Sequence, residues 1–381
     1  MFRRSWITLA LSGSAAGLGA QDTTFQWTVA APYPRPAVPP DNPMSVMKVE
    51  LGRRLFYDRR MSVNATQSCA SCHRQELAFT DGRARGVGAT GERHPRGSMS
   101  LANIAYAAAL TWANPTMTAL EDQALVPMLG TDPVELGLKG REARFLTAIR
   151  RDTIYRRLFP TVFPTDSMPY TITNVARAIA AFERTMISMG SPYDRYRFGG
   201  ERDAISEAAK RGETFFFSGQ GGRCFQCHGG WNLSGEVRHE ARPNMNARFF
   251  NTGLYNLAGP LSYPAPNTGI HEITKRPEDV GKFRAPTLRN IAVTAPYMHD
   301  GSIATLGDVL DHYSAGGRTI VSGPYAGVGR DNPNRAPNLR PFAMSPAQKQ
   351  DLIAFLETLT DTAFLRNPAL SDPWRQQRSV R

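Results

Sequence analysis

Apolar residues recur at steps of four at Met47, Leu51 and Leu55, the spacing that lines one face of a helix, and the run from Tyr57 to Arg60 predicts the exit from it. A second amphipathic helix is predicted through Val175, Ile179, Phe182 and Met186, and a third through Leu352, Phe355, Leu356 and Leu359. The third has a clear start: Ser345 is placed as N-cap and Pro346 at the first helical position, where its missing N–H costs nothing. The stretch from Arg211 to Phe216 echoes the one from Leu51 to Phe56, so an opening and a closing helix occur twice. Gly190 to Arg202, rich in glycine, proline and charge, is the expected boundary between the two units. Residues 21–42 are proline-rich and polar and predict an extended lead-in. Gly229 to Gly281 has neither helical nor strand period and reads as a long functional loop.

Each opening helix precedes a Cys-x-x-Cys-His run, with Cys69, Cys72 and His73 in the first unit and Cys224, Cys227 and His228 in the second. The two runs use all 4 cysteines of the 381-residue chain. Such a run attaches a c-type haem: the two thiols add across its vinyl groups and the histidine coordinates its iron from the proximal side. Two such pairs could instead build a four-cysteine zinc site, or close two short disulfides. Neither alternative accounts for a histidine directly after the second cysteine both times. Helix, haem motif and closing helix, repeated, predict a mainly α fold. Its two cytochrome c-like domains, residues 43–195 and 196–381, would each carry one covalent haem and long irregular loops.

Covalent haem attachment goes with export. Arg3 and Arg4 precede a mostly apolar stretch from Trp6 to Leu18 and the small residues Gly19 and Ala20, so residues 1–20 read as a signal peptide. No later apolar run approaches the roughly 20 residues of a membrane span. A periplasmic protein with no membrane span is expected. The formal charge is +12; loss of Arg3 and Arg4 and gain of four haem propionates would leave about +6. With no run of five like charges and no nucleic-acid motif, the basic surface points to an acidic protein partner rather than a polyanion.

The stretches Leu51 to Phe56, Ser68 to His73, Ala78 to Gly82, Leu120 to Ala124, Ala180 to Thr185, Ala285 to Asn290 and, most distinctively, Thr294 to Gly301 resemble the di-haem cytochrome c peroxidase and MauG family. The markers run nearly the whole chain. Within that family, His94 to Asn103, Thr111 to Pro115 and Asn251 to Asn256 most resemble the MbnH group, di-haem enzymes associated with methanobactin-type copper proteins. That group is similar to MauG in oxidising tryptophan on a partner protein, with kynurenine in the copper-binding partner MbnP as the product.

The resemblance implies that the N-terminal haem, with His73 as proximal ligand, reacts with hydrogen peroxide, and that the C-terminal haem, on His228, stores or relays an electron. By chemistry alone either haem could take either part. The second ligand of the C-terminal haem is a methionine in the peroxidases and a tyrosine in MauG. The register from Leu306 puts Tyr313 there, with Met298 and His312 as the other candidates. A phenolate favours high-valent iron and methionine the ferrous state, so Tyr313 points to storage of two oxidising equivalents in a bis-ferryl type of state. Glu135 matches the family's catalytic glutamate, which moves the peroxide proton. Gln123 matches the glutamine that hydrogen-bonds the iron-bound oxygen, and Pro127 the proline over the same haem face. Two more residues than usual separate Gln123 from Glu135.

Trp112 matches the tryptophan between the haems, whose ring couples the irons; read alone, it would be a core residue. The family's Trp-Asp-Gly-Arg is Trp112 to Pro115 here, with different neighbours. The resemblance also implies a calcium ion between the haems, held by the backbone carbonyls of Thr294 and Pro296 and by an asparagine whose place Gly97 takes, with Asn103 close by. Trp231, three residues past His228, is either an exit point for oxidising equivalents or ordinary packing. The function expected is a periplasmic enzyme that uses peroxide to oxidise tryptophan on an MbnP-like partner. The alternative is a cytochrome c peroxidase fed by a small cytochrome, and Glu135 with Gln123 over an open haem argues against a mere electron carrier.

Overall fold

The computed structural model describes residues 24–29, 31–219, 221–259 and 261–374, so the expected signal peptide lies outside the described residues. The fold is mainly α. In the first half α1 (Val46–Phe56) is followed by α2 (Cys69–Cys72), α3 (Leu120–Leu129), α4 (Glu142–Arg150), α5 (Thr153–Val162) and α6 (Ile172–Glu183). A short α7 (Pro192–Arg197) leads to α8 (Glu207–Phe217), α9 (His271–Thr274), α10 (Leu306–Ser314), α11 (Pro346–Glu357) and α12 (Thr362–Leu365). Among the described residues, strands are confined to two antiparallel pairs with two residues in each strand, β1 (Phe249–Phe250) with β2 (Phe283–Arg284) and β3 (Thr319–Ile320) with β4 (Gly327–Val328).

The predicted helices form, the Ser345 cap as predicted and the other three caps in addition. Ser45 accepts from the Lys48 amide at the start of α1, Thr171 from Asn174 at α6, Ser206 from Ala209 at α8 and Ser345 from Gln348 at α11. Their apolar faces then meet in pairs, α1 on α6 and α8 on α11. Both crossings close over a glycine. A methyl group on Gly52 would lie 1.9 Å from the Ala178 carbonyl oxygen, and one on Gly212 would lie 2.0 Å from that of Asp351. The echo between Leu51–Phe56 and Arg211–Phe216 is therefore the echo of one backbone contact.

Met186 and Leu359 are fully buried, as their register requires, yet each lies just past the end of its helix. The cause is the same twice. The Met186 carbonyl accepts the Asn103 amide and the Leu359 carbonyl the Asn290 amide, both at 2.9 Å or less, and these long-range bonds replace another helical turn. Asn103 and Asn290 both adopt the left-handed conformation, with φ of 57° and 62°, which asparagine tolerates better than most residues.

Three stretches differ from a simple two-unit chain. The expected boundary, Gly190 to Arg202, contains α7, started by a reciprocal cap between Ser191 and Asp194 with Pro192 at the first position. The lead-in is extended but tied to both halves: the Tyr33 hydroxyl donates to Asp194 at 2.5 Å and the Pro34 carbonyl accepts from Tyr106 at 2.7 Å in the first, and the Arg35 carbonyl accepts the Glu240 amide at 3.0 Å in the second. The chain after α11 turns back onto the first half. Phe364 and Leu370 are buried in the core of α1 and α6, and the Trp374 indole donates to the Arg54 carbonyl. The long loop is irregular as expected, apart from β1, α9 and short turns, and it buries Tyr255, Tyr263 and Val280 in a core shared with Ala113, Phe283, Tyr297 and Ile303. Among the described residues no helix is long and apolar enough to cross a membrane.

Gly52→Ala or Gly212→Ala should lower the denaturant midpoint by an amount equivalent to about 3 kcal/mol, the upper range for overpacking against a backbone that cannot move. Gly219→Ala, where an added methyl meets nothing within 4 Å, should leave it unchanged.

Candidate haem sites and the seam between them

Both motif histidines are set up alike. His73 Nδ1 lies 2.7 Å from the Phe79 carbonyl oxygen, and His228 Nδ1 lies 3.1 Å from that of Pro286 and 3.2 Å from that of Leu233. Donation from Nδ1 fixes the tautomer and leaves the Nε2 lone pair for a metal. Burial pulls both imidazoles below their ordinary pKa, so they are neutral and able to ligate. All four cysteines are free thiols, and among the described residues no three His, Cys, Asp or Glu side chains gather as a metal site. The shared zinc site and the disulfides are thus not built.

Around Cys224, Cys227 and His228 is a cavity of about 510 Å³ that also has Arg284, His299 and Tyr313 in its wall, a volume in the range of cofactor sites. Its polar wall is incomplete. Arg284 Nε and His299 Nε2 are buried without a hydrogen-bond partner. Burial lowers the Arg284 pKa only to about 10, leaving a dry cation beside the cavity, and lowers that of His299 to about 3. A haem fits this site: its vinyl groups would take the two thiols as thioethers, His228 would ligate its iron, and the unpaired Nε of Arg284 would hold a propionate. Tyr313, on α10, reaches the wall, and burial followed by the nearby thiols raises its pKa. Met298 lies in the same wall. His312 is buried beside the Tyr313 ring, and burial lowers its pKa to about 4.

Near the first motif, Gln123 and Pro127 lie one turn apart on α3, and Pro127 cannot donate to the Gln123 carbonyl. The segment carrying Glu135 docks on the end of this helix, with the Leu136 amide donating to Pro127 and the Leu138 amide to Met128, both at 2.9 Å. It is pinned from the other side by Val63, whose amide donates to Leu136, and by Ala89, whose amide donates to Glu135. Burial pushes the Glu135 carboxyl up to about 7, and it is near enough to Cys69 and Cys72 to raise both thiols. His94 Nε2 lies 3.8 Å from Glu135 Oε1. Burial and Arg96 lower the His94 pKa, so at neutral pH this is a polar neighbour and not an ion pair.

Between the two motifs runs a seam of backbone bonds centred on Gly97. Its carbonyl accepts from Trp112 Nε1 and its amide donates to His299, both at 2.9 Å, and the Trp112 carbonyl accepts the Arg284 amide. Trp112 belongs to the wall of the large cavity and also to that of a smaller one of about 80 Å³. Gly97, Thr294, Pro296 and Asp81 line the smaller one. Asn103 is not available there: its amide donates to Ser188 and Asn232, and its oxygen accepts from Ser188. Trp231 packs edge-on between Tyr33 and Tyr106, at 5.4 and 4.7 Å, away from the cavity walls.

A family model for the di-haem cytochrome c peroxidases matches residues 46–203. The chain is 35% identical to cytochrome-c peroxidase IdrP1 of Denitromonas iodatirespirans, over 93% of this chain and 92% of that one. The chain belongs to the di-haem cytochrome c peroxidase and MauG family. It is also 30% identical to the methylamine utilization protein MauG of Methylorubrum extorquens, over 92% of this chain and 88% of that one. The crystal structure of a MauG-like protein associated with microbial copper homeostasis has a TM-score of 0.89 and 46% identity, covering 92% of this chain and all of that one. The family implies an oxidoreductase with two c-type haems.

Sequence reasoning did not single out His94, Arg284, His299 or Asp81. Each is brought to its site by contacts distant in sequence, and only Arg284 lay outside the quoted motifs. Replacing Cys69 and Cys72 by alanine should remove one of two haems, and replacing Cys224 and Cys227 the other. Haem per chain, assayed as the pyridine complex after denaturation, should fall by half in each case.

Proposed function

We propose that this chain is a periplasmic enzyme that uses hydrogen peroxide to oxidise tryptophan on a copper-binding partner protein, giving kynurenine. Tyr313 carries this reading. It lies in the cavity wall with His228, on an α10 that contains no methionine, and a phenolate suits a haem that must hold oxidising equivalents. The 46% identity to a MauG-like protein of copper homeostasis supports the same partner class. In this reading residues 43–195 carry the peroxide-reactive haem and residues 196–381 the electron-transfer haem.

The two haems supply the redox chemistry when bound. The chain's residues handle protons and access. Glu135 takes the first proton of peroxide and returns it to the departing oxygen, with Gln123 donating a hydrogen bond beside it and Pro127 closing the face. Trp112, in the walls of the large and the smaller cavity, is the ring that couples the two haem sites in this reading. Calcium belongs to the smaller cavity. Thr294 and Pro296 line it and would offer the carbonyls that the resemblance implies, and Asp81 Oδ2, buried without a partner, would supply the anionic oxygen that Gly97 lacks.

A second reading, a peroxidase drawing electrons from a small cytochrome, is favoured by the similarity to cytochrome-c peroxidase IdrP1 and by Met298 in the same cavity wall. To distinguish them, the di-haem protein, peroxide and a candidate copper-binding partner are incubated and the partner's peptides weighed. A mass gain on tryptophan matching kynurenine is expected. An unmodified partner together with fast peroxide consumption at the expense of reduced cytochrome c decides for the peroxidase.

The Glu135 pKa of about 7 gives a pH dependence. Below it the carboxyl holds a proton and cannot act as the base, so the rate of reaction with peroxide should rise as pH increases through 7. Glu135→Gln should flatten that rise and lower the rate about 100-fold, the usual contribution of acid–base catalysis, as measured by stopped-flow absorbance at constant haem content.

A further inference from the structure

The cavity around His228 is joined to the surface by touching aromatic rings. In its wall His299 stacks on Phe283, with centroids 3.7 Å apart and planes 12° from parallel. Behind them Tyr263 lies 6.2 Å from the His299 ring and 6.0 Å from the Phe283 ring. Tyr255 follows at 5.3 Å and Tyr325 at a further 5.5 Å. Tyr263 and Tyr255 are buried, 3% and 6% exposed, whereas Tyr325 is 42% exposed. Every spacing is that of rings in contact. Another aromatic route leaves the cavity through Phe216 and Phe217, but a phenyl ring is far harder to oxidise than a phenol.

The surface end is a built site. Tyr325 opens into a groove of about 570 Å³ beside Arg85, Arg318, Asp300 and Val321. Val321 is 91% exposed. The Arg318 guanidinium lies 4.8 Å from the Tyr255 ring centre, and the Tyr255 hydroxyl donates to Asp300 Oδ2 at 2.5 Å. A cation over the ring opposes a positively charged phenol, so a Tyr255 that gives up an electron must also shed its proton. Asp300 is the acceptor already in contact with it.

We propose that Tyr263, Tyr255 and Tyr325 form an electron relay into the C-terminal haem cavity, and that an acidic protein donor docks in the Arg85–Arg318 groove to feed it. The proposal rests on the peroxide reaction proposed above, in which one peroxide, two electrons and two protons give two waters. Each electron passes inward ring by ring. Tyr263 only bridges and keeps its phenol proton throughout: Tyr255 loses an electron through the Tyr263 ring and its own proton to Asp300, then recovers an electron from Tyr325 and the proton from Asp300. Tyr325 releases a proton to solvent and takes one back when the donor reduces it, so the tyrosines are unchanged and the donor alone is oxidised. The two arginines favour an acidic partner face by charge. Trp231 has no part in this route.

The test treats the di-haem protein with peroxide and a nitroso spin trap, maps trap adducts by peptide mass spectrometry, and follows peroxide consumption in the same mixture. The relay requires an adduct on Tyr325 that disappears in Tyr255→Phe, which keeps the ring and deletes the phenol, and remains in Tyr196→Phe, a tyrosine away from the route. Tyr325→Phe, at an exposed position the fold does not need, should slow oxidation of an acidic donor protein, and added salt should weaken that donor's docking. Adducts on Tyr325 that survive Tyr255→Phe, or adducts on Trp231 instead, overturn the relay alone. Absence of peroxide consumption overturns the peroxide reading and the relay together.

Discussion

The two halves of this molecule are fixed to each other by a buried knot of polar side chains that must all be satisfied at once. Asn103 and Asn290 do the same work in their respective halves. Each donates its amide to the residue just past a closing helix, Met186 or Leu359, and accepts through its side chain from the amide two residues on, Ser188 or Asp361. The two arrangements then bond to each other: Ser188 Oγ donates to Asp361, and Asn290 donates to Ser188 Oγ. Beside them Arg289, fully buried, is paired through Nη1 with Asp194 at 2.7 Å. An unpaired polar group or charge at such depth costs several kcal/mol. A shift of one half against the other would break many of these bonds together, so the seam admits one register.

That register puts the functional parts where they are. Asn103 follows the Gly97 segment closely and Asn290 lies between Arg284 and Thr294, so locking the two asparagines locks the strips that carry Trp112, Arg284 and the smaller cavity. Trp112 is held from both sides, its indole by Gly97 and its carbonyl by Arg284. A ring held this way belongs to both walls in a single orientation, which a coupling element needs and a ring free to rotate would not provide.

Much of this was legible in the sequence because it is local. Caps, helical periods and the two Cys-x-x-Cys-His runs need only neighbouring residues, and they located the opening and closing helices and both haem motifs. The capping box at Ser191 and Asp194 was equally local but was masked by the glycine, proline and charge around it, so α7 read as a linker. The remainder depends on contacts across the chain. Nothing near Asn103 says that its side chain is consumed by Ser188 and Asn232, and nothing near Phe364 or Trp374 says that the tail returns to α1. His94 meets Glu135 only because the Glu135 segment is pinned against Ala89. Arg284 becomes a buried, half-unpaired cation only because β2 runs along the cavity.

The surroundings of the two haem motifs also differ in physical character. Glu135 and His94 keep side chains about one-third exposed, so the first site can exchange protons with water while burial sets its carboxyl near neutrality. The second holds a dry arginine, a histidine too buried to protonate near neutral pH and a shell of aromatic rings. Proton traffic there is costly, but electrons can move through rings in contact. In the function proposed above, breaking the O–O bond of peroxide needs protons delivered on time, whereas oxidising a protein too large to enter needs charge moved over distance. Placing these demands at separate sites lets each be met without compromising the other.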